Sequence, residues 1–162
     1  MRLSHSAAYA IHAAAVLARQ APGSTTPCGK IASEGHLPER FLLQILRALV
    51  KAGVLHSTRG GGGGFSLCRP PDEISLLEII EAIDGPISAH LPPLGVQDGG
   101  ASAERQTVER ALGEVARRTR QHLATISLAE LAPAPPPNPA PTAWLESYTA
   151  CGAAPSPIPG SA

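Results

Sequence analysis

A mainly α-helical chain carrying one small β-hairpin is the fold class this sequence predicts, and three observations predict it. Apolar residues recur at three- and four-residue spacings through 2–20, 38–52, 75–83 and 103–126, the rhythm of amphipathic helices. One stretch, 53–71, breaks that rhythm: Val54-Leu55 and Phe65-Ser66-Leu67 flank five consecutive glycines, Gly60 to Gly64, the pattern of a β-hairpin with an almost side-chain-free tip. Charge is also divided. Residues 1–70 hold eight Lys/Arg against two acids, and 71–162 hold five Arg against eleven acids, so +6 and −6 cancel to the zero net charge of the chain.

The first helix rests on Leu3, Ala7, Ala10, Ile11, Ala14, Leu17 and Ala18, and Pro22-Gly23 ends it. Thr26 is placed to cap a short second helix with Pro27 at its first position, running from Cys28 to Glu34 until Gly35 breaks it. Leu37-Pro38 opens a third helix to Ala52, stopped by Gly53. Its expected buried stripe is Phe41, Leu42, Ile45, Leu46, Leu49 and Val50, and its open face shows Glu39, Arg40, Leu43, Gln44, Arg47 and Lys51. Short helix, tight turn and second helix with a cationic face are the parts of a helix-turn-helix. Followed by the glycine-tipped hairpin, they make a winged helix-turn-helix.

Arg69-Pro70-Pro71 then forces an extended exit. Ser75 and Glu78 form a capping-box pattern opening a fourth helix, which stops at Gly85-Pro86. Residues 86–103 show no period. A long helix resumes to about Ile126 with Val108, Leu112, Val115, Thr119, His122 and Ile126 along one side, a span of roughly 33 Å that finds little partner surface in so small a chain. It is read as a dimerisation arm. The resulting division is 1–85 winged helix-turn-helix, 86–103 irregular loop, 104–131 dimerisation helix and return segment, and 132–162 Pro/Ala-rich disordered tail, with nine prolines and one charge in the last. Trp144, Leu145 and Tyr148 are read as stray apolar residues there.

Composition narrows the function. With 3% aromatics the core must be aliphatic. No apolar run reaches the length of a membrane span, and no signal-peptide pattern opens the chain, so a cytoplasmic protein is expected. Cys28, Cys68 and Cys151 are odd in number and far apart, which reads as reduced thiols. Cys28, at a helix start, is the candidate redox thiol if the helix N-terminus lowers its pKa. His5 and His12 default to surface positions, and no enzyme motif appears: no nucleophile is paired with a base, and the glycine run lacks the Lys-Ser/Thr ending of a phosphate loop.

A family resemblance sharpens this reading. Met1-Arg2-Leu3-Ser4, Ile31-Ala32, Lys51-Ala52-Gly53, Thr58-Arg59-Gly60 with Gly63-Gly64-Phe65, Arg69-Pro70-Pro71, Ile74-Ser75-Leu76, Ile83-Asp84-Gly85-Pro86 and 126–131 occur in one order and spacing. Together they resemble the Rrf-two family of bacterial transcription regulators, the family of IscR, NsrR and CymR. The resemblance implies a dimeric winged helix-turn-helix whose third helix enters the major groove and whose wing enters the minor groove. It implies Arg40 and Gln44 at base edges or phosphates and Arg59, Gly60 and Gly61 in the minor groove. The charge pattern itself, apart from the resemblance, puts Lys30, Arg47, Lys51 and Arg69 on phosphates, with Glu39 and Leu43 on the same open face.

Two departures matter. Relatives carry a glutamate at the position of Leu43, and an apolar side chain favours contact with thymine methyls over accepting a bond from cytosine. Many relatives hold an iron–sulfur cluster with three cysteines after the fourth helix, whereas 86–103 contains no cysteine, only His90 and Asp98 with ordinary ligand chemistry. The expectation is therefore a homodimeric repressor of duplex DNA with no cofactor and no metal, controlled by a protein or small-molecule effector. The alternative is a winged-helix protein–protein module controlling a partner enzyme, supported by the neutral net charge, Leu43 and the apolar tail.

Overall fold

The alanines of the first helix make it the centre of the molecule. The computed structural model describes residues 3–88 and 103–132. In it α1 (His5–Ala18) buries Ala7, Ala10, Ala13, Ala14 and Ala18. Side chains this small let neighbouring backbones come close, and α1 packs against α2 (Cys28–Gly35), α3 (Glu39–Lys51), α4 (Leu76–Asp84) and α6 (Leu128–Leu131). Between α4 and α6 runs α5 (Ala103–Thr125), a 23-residue helix in which no residue is buried. The expected loop 86–103, with His90 and Asp98, lies mostly outside the described residues, and the tail from 133 wholly so.

The hairpin follows α3 directly. Strands β1 (Leu55–Thr58) and β2 (Gly64–Leu67) pair antiparallel, with Leu55 opposite Leu67 and Thr58 opposite Gly64. A third extended segment meets β2. The Phe65 N–H donates to the Thr26 carbonyl at 2.9 Å, and the Thr26 N–H donates back to the Phe65 carbonyl at 2.9 Å. That pairing corrects the role expected of Thr26. Its backbone is held extended and buried against β2, so Pro27 takes the cap position of α2 instead.

The turn between α2 and α3 also differs from expectation. Gly35 is still helical, and the chain reverses at His36, in the left-handed region at φ 52°. Histidine tolerates that region better than branched residues do, and the Leu37 N–H closes the helix on the Ala32 carbonyl at 2.9 Å. Space at Gly35 is tight: a Cβ there would lie 3.0 Å from the Leu37 side chain, which would have to give by a few tenths of an ångström. In α3 the buried side is Leu42, Ile45, Leu46 and Leu49. Phe41, assigned to that stripe from sequence, is 59% exposed. It is about 100° round the helix from Leu42, which turns it off the core.

Two copies of one short pattern join the end of the chain to its middle. Ile74-Ser75-Leu76-Leu77-Glu78 and Ile126-Ser127-Leu128-Ala129-Glu130 both form complete capping boxes, at the starts of α4 and α6. Ser75 faces Ser127 across an antiparallel bridge. The Leu76 N–H donates to the Ile126 carbonyl and the Leu128 N–H to the Ile74 carbonyl, each at 2.8 Å. Ile74 and Leu128 are wholly buried beneath it. At the other end of α4, the Ser4 hydroxyl donates to Asp84 at 2.5 Å and the Ser4 N–H to the same carboxylate at 3.2 Å. Ser4 also caps α1 by accepting from the Ala7 N–H at 3.0 Å.

The α4 box has a pH signature. Burial pushes the Glu78 carboxyl up, but bonds from Arg69 and from the Ser75 N–H and hydroxyl outweigh it and hold the pKa below the usual range. A carboxyl depressed in the folded state stabilises the fold above its unfolded pKa, and that contribution fades as pH falls through the folded value. Ser75→Ala is expected to cost about 1 kcal/mol. In thermal melts the deficit should be full at pH 7 and shrink as the pH drops below the ordinary carboxylate range.

Candidate nucleic-acid interface

The surface expected to read DNA is assembled from three elements. On α3, Arg40, Leu43, Gln44, Arg47 and Lys51 are all exposed while the opposite side of the helix is in the core. Arg40, Arg47 and Lys51 make no ion pair among the described residues. Lys30, on α2, is exposed and reaches Glu34 one turn on at 3.6 Å, a solvated pair of little strength. Glu39, the first residue of α3, is exposed and lies against the leading end of α2: its Oε1 would be 3.5 Å from a Cβ at Gly29. Arg69, expected on phosphate, lies at the hairpin's exit. It is half-buried, ion-paired to Glu78 at 2.7 Å and bonded to the Glu73 carbonyl at 3.2 Å, which ties the hairpin's exit to α4.

The third element is the wing. Arg59, Gly60, Gly61 and Gly62 form its exposed tip. The five glycines divide by what the fold asks of them. Gly60 adopts φ 114°, which other residues rarely tolerate. A Cβ on Gly63 would lie 2.4 Å from the Thr58 carbonyl oxygen, and one on Gly64 would lie 2.5 Å from the Thr26 carbonyl group. Gly61 and Gly62 have open space around them and ordinary φ. Packing within the fold therefore does not require glycine at these two positions. The Thr25 hydroxyl holds the tip by donating to the Gly62 carbonyl at 2.9 Å. The Thr25-Thr26 anchor was not legible from sequence, because it lies far along the chain from the wing and carries no local pattern.

The cysteines correct two expectations. Cys68 is buried and held in a disulfide, so it is not a reduced thiol. Cys28 is free and half-buried, and its thiol pKa is pushed up, by burial first and by the nearby Glu39 carboxylate second. An activated thiolate at the start of α2 is therefore not what this site provides. His5 and His12 are both exposed. His5 lines an open concavity with Leu3, Ser4 and Asp84.

Similar proteins carry the same plan. Residues 3–134 match the family described as "Rrf2: Iron-dependent Transcriptional regulator". Rv1287 of Mycobacterium tuberculosis, named as an HTH-type transcriptional regulator, is 36% identical over 115 residues, 69% of this chain and 71% of that protein. The HTH-type transcriptional regulator CymR of Bacillus subtilis is 32% identical over 106 residues, 65% of this chain and 74% of that protein. The solved structure of CymR, the global cysteine regulator of B. subtilis, superposes with a TM-score of 0.63 at 29% identity, covering 82% of this chain and 96% of that one. Oxidized Staphylococcus aureus CymR gives 0.61 at 26% identity over 83% and 98% of the two chains. These are regulators and not enzymes, and with its helix-turn-helix and wing in the same order this chain belongs to the Rrf2 family of DNA-binding transcriptional regulators.

Proposed function

We propose that the protein is a cytoplasmic homodimer that binds a pseudo-palindromic duplex site and acts as a repressor, with an effector of protein or small-molecule type setting its occupancy. The observation that carries this reading is the exposed cationic row of α3, Arg40, Arg47 and Lys51 around Gln44, on a helix whose other side is spent on the core. With Lys30 these cations supply salt-dependent phosphate contacts. Arg40, Leu43 and Gln44 read the major groove, Glu39 borders them, and Arg59 with Gly60 and Gly61 reads the minor groove. Residues 1–85 act as the DNA-binding unit and 104–131 as the dimerisation unit, joined by 86–103, with 132–162 as a tail. Among the described residues no helix is long and apolar enough to cross a membrane.

The reading includes control without an iron–sulfur cluster, although the family's description names iron. Such clusters take several thiolates. The donors of this chain do not fit. The sequence offers three cysteines, at 28, 68 and 151, far apart in the chain and none within 86–103.

The test is selection of bound duplexes from genomic DNA by the purified protein, followed by anisotropy titration of a recovered duplex. Arg59→Ala should weaken binding by about 1–3 kcal/mol and leave the melting temperature unchanged. Absence of any enriched duplex at modest ionic strength would overturn the proposal.

A further inference from the structure

Exposed large apolar residues sit where an all-polar DNA-reading helix would have none. Phe41 is 59% exposed and Leu43 39% exposed, the third and fifth residues of α3. At 100° per residue, Arg40, Gln44, Arg47 and Lys51 share an arc of about 60°, with Leu43 about 40° beyond one edge and Phe41 about 60° beyond the other. The cationic row is thus bordered by an apolar side chain on each flank, both in its first two turns. A recognition helix presents its N-terminal residues to base edges. The occupant of this apolar pair is argued by its setting: the charges that share the open face of the helix are Arg40, Arg47 and Lys51 against Glu39 alone, which favours a polyanion over a protein surface.

Base edges in the major groove carry donors, acceptors and one apolar group, the 5-methyl of thymine. We infer that Phe41 and Leu43 are specificity-determining residues that pack against thymine methyl groups on either side of the Arg40–Gln44 row. The operator half-site would then be richest in A·T pairs under the first turns of α3. Gln44, between the two flanks, has the donor and acceptor pair that adenine N7 and N6 require, so one A·T pair can be held by its adenine and its methyl together. A cytosine in place of either thymine would leave its amino group facing hydrocarbon with no partner. This inference rests on the DNA-binding reading above and adds to it the base pairs that are chosen.

The experiment starts from a random-sequence duplex pool and the full chain. The enriched duplex is resynthesised with uracil replacing each thymine in turn, which deletes one methyl and leaves every hydrogen-bonding group intact. Wild type should lose roughly fourfold in affinity, the worth of one buried methyl, at one or two thymines per half-site. Leu43→Ser and Phe41→Ser should each abolish one of those penalties, binding the thymine and uracil duplexes equally, with unchanged circular dichroism because both side chains lie off the core. If wild type binds every uracil duplex as tightly as its thymine parent, the inference fails while DNA recognition stands. If both variants keep the wild-type uracil profile, these residues are not the readers. If no duplex is enriched, the DNA-binding reading itself has failed, and this inference with it.

Discussion

Gly64→Ala is expected to destabilise the fold by about 2 kcal/mol, within the range for forcing extra atoms into a packed site. The added Cβ would sit 2.5 Å from the Thr26 carbonyl carbon and oxygen and 2.8 Å from the Pro27 nitrogen. These are backbone atoms, so no rotamer change relieves the contact. Either the wing separates from the segment leading into α2, losing the paired Thr26–Phe65 bonds, or α2 shifts with it. Both outcomes move the wing relative to the helix-turn-helix, so DNA affinity should fall with stability. Gly61→Ala and Gly62→Ala are the controls. Nothing lies within 4 Å of a Cβ at either, and their stability should stay within about 0.5 kcal/mol of wild type. Denaturant melts of the three variants check the contrast; equal stability for Gly64→Ala and Gly61→Ala would refute the packing argument.

On the proposed homodimer, the double substitution Leu112→Asp with Val115→Asp should convert dimer to monomer and weaken binding to the proposed two-half-site duplex by at least about a hundredfold, because two half-sites are then no longer held by one linked pair of recognition helices. Val108, Leu112 and Val115 lie four and three residues apart on α5 and are 45%, 37% and 61% exposed. A single chain gains little from that stripe, since no residue of α5 is buried within it. The rest of the helix is dressed for water: Arg105 pairs with Glu109 at 3.0 Å, and Glu114 with Arg117 and Arg118 at 2.7 Å each. Hydrogen bonds from Arg117 and then Arg118 hold the Glu114 pKa down to about 2, so this carboxylate stays charged at any ordinary pH. Sedimentation velocity reads the assembly state, and circular dichroism should show the protomer fold retained. A double variant that still sediments as a dimer would place the dimer contact elsewhere.

Much of the architecture was legible along the chain because it is local. Helix periods, the Ser75–Glu78 capping box, the Gly53 stop and the glycine-tipped hairpin depend on residues within a turn or two of one another, and the structure carries each of them. The exposed polar row of α3 was legible for the same reason: a helix with one apolar side must show the other.

What tertiary structure alone decided are contacts between segments distant in sequence. Thr26 looks like a cap until β2 comes alongside and holds it extended. Arg69 looks like a free cation until the fold brings Glu78 within 2.7 Å. Cys28 looks like an activated thiol until burial and Glu39 raise its pKa. Phe41 looks like core until the packing of α3 turns it outward, and Gly63 and Gly64 look interchangeable with Gly61 and Gly62 until neighbouring backbone fills the space above them. Sequence patterns report which side chains prefer burial, and only the assembled chain determines which of them find something to be buried against.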